Sequence, residues 1–216
     1  MSLETLKPKV AKLIEKAQNA GGENILEAYF NYTLTQVRCE NITAFTTTSK
    51  FADQINLISA DFPNLTRTHD YVFDGCTSLV NVNLPKATYV GLSAFRDCKN
   101  LEHISFPSAT IVYGSAFLNA SKLKTVDFGT TVNFARADSF NGCSSLKTLV
   151  LRGNGVSTLS SISLFASAGA FAADAAGGTV YVPSSLIESY KAATNWSAMY
   201  EAGRCNFVAI EGSEYE

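Results

Sequence analysis

Five phenylalanines, Phe51, Phe73, Phe95, Phe117 and Phe140, recur at intervals of 22, 22, 22 and 23 residues. Such a period makes each copy one small unit that cannot bury its apolar face alone, so neighbouring copies must stack to build a shared core. From each Phe the same template reads: apolar at +6, +9 and +11, often Pro at +12, and a further apolar position at +17. The copies FDGCTSLVNVNLPKATYVGLSA and FRDCKNLEHISFPSATIVYGSA agree at nearly every structural position.

The apolar columns run Leu79, Val82, Leu84; Leu101, Ile104, Phe106; Leu123, Val126, Phe128; and Leu146, Leu149, Leu151. The preceding copy supplies Leu57, Ala60 and Phe62 before Pro63, and a degenerate one supplies Leu34, Val37 and Cys39 with Ala28 at the marker position. This gives six units, the first degenerate. Positions +9 and +11 alternate with +8 and +10, so a short strand sends the first pair inward and the second outward. One strand per copy builds a parallel sheet. The later segments THDYV, TYVGL and TIVYG are rich in β-branched and aromatic residues and predict a second, outer strand or turn.

The spacing L-x-x-[VIL]-x-[LF] is a leucine-rich-repeat strand signature. The fuller pattern F-x-x-C-x-x-L-x-x-V-x-L-P, present at 73–85 and with Ile and Phe at 95–107, resembles the BspA-like leucine-rich repeat. The resemblance covers about residues 28–152 and is specific over 51–151. Ala120 departs from it in place of Cys, and Gly129 and Arg152 in place of Pro. It implies an α+β repeat fold, a right-handed leucine-rich-repeat solenoid with a short parallel sheet. Members are typically bacterial surface or prophage-associated binding proteins, so it implies recognition and brings no catalytic site.

The ends differ in character. Within residues 1–27, Leu6, Val10, Leu13, Ile14 and Ala17 fall at helical spacing, with Thr5 as N-cap and Gly21 at the stop, predicting an amphipathic helix that either caps the open end of the solenoid or serves as an oligomerisation or attachment element. Its phrase TLKPKVAKLIEKAQ is similar to leaders of small prophage-encoded repeat proteins. Residues 153–178, dominated by Ala, Ser and Gly, read as an irregular segment anchored by Phe165 and Phe171. Residues 179–216 read as a C-terminal strand-helix-strand cap, with Ser185 and Glu188 as a capping box. A similar VYVP-helix-NW tail follows the repeats of this family.

Other function classes are disfavoured. With 17 basic and 19 acidic side chains there is no Lys/Arg cluster to neutralise phosphates, so no nucleic-acid partner is expected. No apolar run approaches a signal peptide core or a bilayer span, so neither membrane insertion nor an export signal is expected in this chain. Cellular location stays open, with bacterial surface or phage particle implied by the resemblance alone. Five cysteines, an odd count, fit free thiols in a reducing compartment. Cys76, Cys98 and Cys143 share the +3 position and stack, yet a closed zinc site needs four converging ligands, so buried packing is expected and no metal or cofactor.

His103 and Ser105, with Thr125 and Asp127 on the next rung, nominally supply a base, nucleophile and acid. Residues i and i+2 of a strand are about 6.6 Å apart, whereas a working nucleophile and base sit within about 3.2 Å. Asp61 and Asp127 are three rungs apart, about 14 Å, too far for paired carboxylate chemistry. No enzyme is expected.

The outward columns are Gln36, Ser59, Asn81, His103, Thr125, Thr148 and Arg38, Asp61, Asn83, Ser105, Asp127, Val150. All but Val150 are polar and mostly short. This concave face suits a protein or glycan better than an apolar ligand, which needs an enclosed pocket, although solvated strand residues would look the same. The expected binding residues are Asn81, Asn83, His103, Ser105, Thr125 and Asp127, in a non-enzymatic recognition scaffold. The alternative is a structural component of a phage particle or surface assembly.

Overall fold

The computed structural model describes residues 34–45 and 48–216. The N-terminal helix expected over residues 5–19 and the marker Ala28 lie outside the described residues. Each copy contributes a strand where the inward-outward alternation puts it: β1 (Gln36–Arg38), β2 (Ser59–Asp61), β3 (Asn81–Asn83), β5 (His103–Phe106), β7 (Thr125–Phe128) and β9 (Thr148–Leu151). Pairing is parallel and in repeat register, for example Ser59↔Asn81 and His103↔Thr125. These strands form the long-strand face. Opposite it the outer segments form two-residue strands β4 (Tyr89–Val90), β6 (Ile111–Val112), β8 (Asn133–Phe134) and β10 (Thr158–Leu159), paired in the order β10-β8-β6-β4. The first outer segment, THDYV, forms no strand; its neighbour Arg67 makes one isolated bridge to Tyr89.

A third ladder runs along the phenylalanine corner. Residues two before and two after each Phe have left-handed backbone: Ser49, Tyr71, Ser93, Ser115 and Asp138 on one side, Asp53, Gly75, Asp97, Asn119 and Gly142 on the other. For the non-glycine residues this costs about 1–2 kcal/mol each. The conformation turns alternate N–H groups along the stack, and hydrogen bonds to the next copy offset the cost. In one copy Tyr71 donates to the Leu92 carbonyl at 2.8 Å, Phe73 to Ala94 at 2.9 Å and Gly75 to Arg96 at 2.9 Å. Asp, Asn and Gly at +2 are the residue types that tolerate this region.

Within the corner the rings of Phe51, Phe73, Phe95, Phe117 and Phe140 stack at successive centroid distances of 5.4, 5.4, 5.6 and 5.4 Å, and all are fully buried. The +3 cysteines have a defined partner: Cys76 Sγ donates to the Phe51 carbonyl (3.0 Å), Cys98 to Phe73 (3.2 Å) and Cys143 to Phe117 (3.0 Å). Each thiol thus satisfies a carbonyl of the preceding copy. Burial pushes the Cys76, Cys143 and Cys205 thiols up to about 12 and Cys39 to about 11. All five cysteines are unpaired and buried.

Residues 153–178 are more regular than their composition implies. They carry β10 and two 3-10 turns, Ile162–Phe165 and Gly169–Phe171, and Phe165 stacks on Phe140 at 5.2 Å with an interplanar angle of 6°. The core thus continues past Arg152, because a Phe 25 residues after Phe140 still reaches the same column. The chain then forms β11 (Gly178–Val182), helices α1 (Ile187–Ala192) and α2 (Trp196–Glu201), and β12 (Cys205–Ala209), with β11 between β9 and β12. Two short helices stand where one was expected. The expected capping box is absent: Glu188 pairs with Lys191 at 2.8 Å, and the chain enters α1 through a 3-10 turn after Pro183. The Ser184 N–H is instead satisfied by the Glu211 carboxylate at 2.9 Å.

Candidate functional site

The alternation that buries Val37, Ala60, Ile104, Val126 and Leu149 turns the polar columns to solvent on the long-strand face. Its ladder is interrupted once. β1-β2-β3 form one sheet and β12-β11-β9-β7-β5 another, with no hydrogen bond between β3 and β5. Over this split lies an open depression lined by Ser59, Asp61, Asn81, Asn83, His103 and Ser105, with Val82 and Ile104 between them. Val82 is half-buried where its counterparts are buried, as expected beside a gap. Of the six expected binding residues, Asn81, Asn83, His103 and Ser105 line the depression. Thr125 and Asp127 stand on the next strand, half-buried and outside it.

Charge on this face is largely paired. Asp61 receives Arg38 at 3.2 Å and the Asn83 amide at 2.8 Å, while Arg38 also meets Glu40 at 3.0 Å. Asp127 is gripped by Arg152, Nε to Oδ1 at 2.9 Å and a terminal nitrogen to Oδ2 at 3.0 Å. The column pattern did not reveal this, because Arg152 replaces Pro just beyond its strand. Lys124 donates to Glu102 at 2.6 Å and holds that carboxyl below its ordinary range.

Val150, the apolar exception among the outward residues, is fully buried. Its register partner is Tyr181, and Tyr181 packs against Tyr215 of the C-terminal segment at 4.7 Å. That end of the face is therefore apolar and covered, and the lone Val in a polar column was the sequence signal for it.

The chemistry available is hydrogen bonding. The thiols are buried and hard to ionise, and the two candidate carboxylates are separately occupied by arginines. Among the described residues no group of three His, Cys, Asp or Glu side chains is arranged to hold a metal ion.

The pattern of the BspA type leucine-rich repeat region matches six copies across residues 44–168, more than half of the chain. The chain belongs to this family. The six copies coincide with the repeated strands and phenylalanine corner described above, and no catalytic family is indicated. In fold the chain is similar to a leucine-rich repeat protein from Bacteroides ovatus, with TM-score 0.52 and 23% identity over 57% of this chain and 33% of that one. It is also similar to the T. pallidum leucine-rich repeat protein, with TM-score 0.55 and 16% identity over 82% and 87%. The chain thus spans about a third of the length of the Bacteroides protein. No curated protein matches it in sequence. Among the described residues no helix is long and apolar enough to cross a membrane.

Proposed function

We propose that this BspA-type repeat protein is a non-enzymatic recognition scaffold that binds a protein or glycan through its long-strand face, in a bacterial surface or prophage-associated setting. The proposed contact residues are Asn81, Asn83, His103, Ser105, Thr125 and Asp127, on a right-handed solenoid capped at both ends. The observation that carries the reading is the open depression over β3 and β5, which is lined mostly by polar side chains. A scaffold of this kind varies its contact residues without disturbing the core, because they alternate with it along each strand.

The test is binding of the intact chain to immobilised matrix proteins and glycans, repeated with Asn81→Ala/His103→Ala. The double substitution is expected to leave stability within about 0.5 kcal/mol per site, as at unconstrained surface positions, and to abolish binding. A ligand whose affinity ignores substitution of all six residues overturns the reading.

A role as a structural component of an assembly is the second reading. It is favoured by the exposed residues Ile55, Ile58 and Val80, the last two at equivalent positions of adjacent copies. Concentration-dependent self-association lost in Ile58→Ser/Val80→Ser would support it.

A further inference from the structure

At every other junction along the long-strand face the residue entering the strand donates to the copy before it. Ile58 donates to Thr35, Val80 to Ile58, Lys124 to Glu102 and Lys147 to Lys124, at 2.7 to 3.0 Å. Glu102 makes no such bond to Val80. At the far end of the strand Phe62 donates to the Asn83 carbonyl at 3.0 Å, while its counterpart Leu84 has no bond to Ser105. The parity of a parallel ladder then aims the N–H and C=O groups of Val82, His103 and Ser105 into the split as well. The opening is confined to this face. On the opposite side of the same junction Tyr89 pairs with Ile111, and at the corner Phe73 still donates to Ala94 at 2.9 Å.

Backbone groups away from water normally find partners, and here they lie beneath the open depression without a partner across the junction. Its walls alternate donors and acceptors, its rim carries the Asn81 and Asn83 amides, the Ser59 and Ser105 hydroxyls and the His103 imidazole, and Val82 gives it an apolar floor. β3 and β5 remain within 8 Å, measured between Cα atoms. A peptide strand inserted between them would need about 9.6 Å, twice the ladder spacing. A single hydroxyl needs less room than a strand. Resting on the recognition role proposed above, we infer that the split between β3 and β5 is a slot for the hydroxyl groups of a neutral glycan. A hydroxyl both donates and accepts, matching N–H beside C=O, and a sugar ring presents an apolar C–H face to Val82. Asp61, the acidic residue of the rim, is already charge-paired with Arg38, which favours an uncharged ligand.

Two measurements on the intact chain test this. Amide hydrogen exchange should show Glu102 and Leu84 exchanging at least about ten-fold faster than their bonded counterparts Lys124 and Phe62. Equal protection would mean that the slot is closed in solution, overturning the inference while leaving the broader face-binding role intact. Titration with cellohexaose, maltohexaose, chitohexaose and mannohexaose, and separately with a polythreonine peptide, followed by amide chemical shifts, should move Val82, His103 and Ser105 with at least one sugar. Asn81→Ala and Asn83→Ala should weaken that response about ten-fold, and Thr110→Ala on the opposite side should not. No response to any of these sugars, a response centred elsewhere, or a response only to a polythreonine peptide overturns the glycan assignment. If a protein partner is nevertheless lost on substitution of the six face residues, the proposed function survives without it.

Discussion

Replacing Phe95 by Ala removes the ring at the middle of the corner column. The side chain is fully buried, lies between Phe73 at 5.4 Å and Phe117 at 5.6 Å, and meets Phe106 edge-on at 5.9 Å. Core Phe-to-Ala changes cost about 3–5 kcal/mol, and three ring contacts at about 0.5–1.5 kcal/mol each account for much of that. With a urea m-value near the upper end of the usual range, about 3 kcal/mol/M, the unfolding midpoint should fall by about 1 to 1.7 M. Because each copy touches only its neighbours, the loss uncouples the copies on either side, so the transition should also broaden or divide. Circular dichroism across a urea series reads both effects. A Phe95→Ala chain that unfolds at the parent's midpoint, as sharply as the parent, would refute the stacked-column account of stability.

Ala120→Cys restores the thiol missing from the +3 column and should let it donate to the Phe95 carbonyl, raising stability by up to about 1 kcal/mol; a loss of that size on thermal melting would contradict the equivalence of the copies. Arg204 is buried with its guanidinium on the carbonyls of Phe171 (2.9 Å) and Phe165 (3.1 Å). Arg204→Ala should therefore cost about 2–3 kcal/mol, because it leaves the Phe171 carbonyl unpaired while the Phe165 carbonyl keeps only the Ala168 N–H, and a neutral result in denaturant titration would sink that assignment. Burial raises the thiols above their ordinary value of 9.0, to about 12 for Cys76, Cys143 and Cys205, so folding is unaffected by them below pH 9 and stability falls between 9 and 12, where only the unfolded chain sheds those protons. Iodoacetamide at pH 8 should accordingly label the native protein slowly and all five cysteines on unfolding; fast native labelling would refute the burial.

The repeated part of the fold was legible because each copy states its inward and outward positions in the same order. Phe, Leu and the strand triplets declare the core, and strand alternation placed Asn81, Asn83, His103 and Ser105 on one surface. The junction between β3 and β5 was not legible, for a specific reason: it lies between the two copies most alike in sequence, so no residue marks it. It appears only in hydrogen bonding across the stack. Asp127 read as available because its partner Arg152 sits outside the column pattern. Phe165 was taken as an isolated anchor because it falls out of phase with a fixed period, although its ring occupies the next place in the column. The Arg204 bonds join positions 33 and 39 residues apart, a distance at which local pattern carries no information.

The phenylalanine corner also determines where the chain can change length. The interval from Phe117 to Phe140 is one residue longer than its predecessors, and the extra residue falls between β8 and Phe140, at 135–139; the strand-to-strand interval from Phe128 to Asn133 matches that from Phe106 to Ile111. From Phe140 to Phe165 the surplus falls at 152–157, between β9 and β10, and again before the Phe. Strands and corner keep their lengths while the turns between them absorb insertions. A turn residue gained or lost is a local event, whereas one deleted between Phe and its strand would shift every inward side chain of that copy to the wrong face. Duplication of a whole copy preserves all three ladders, so the natural unit of growth for this protein is the complete turn of the coil, and array length can diverge between relatives without the core being redesigned.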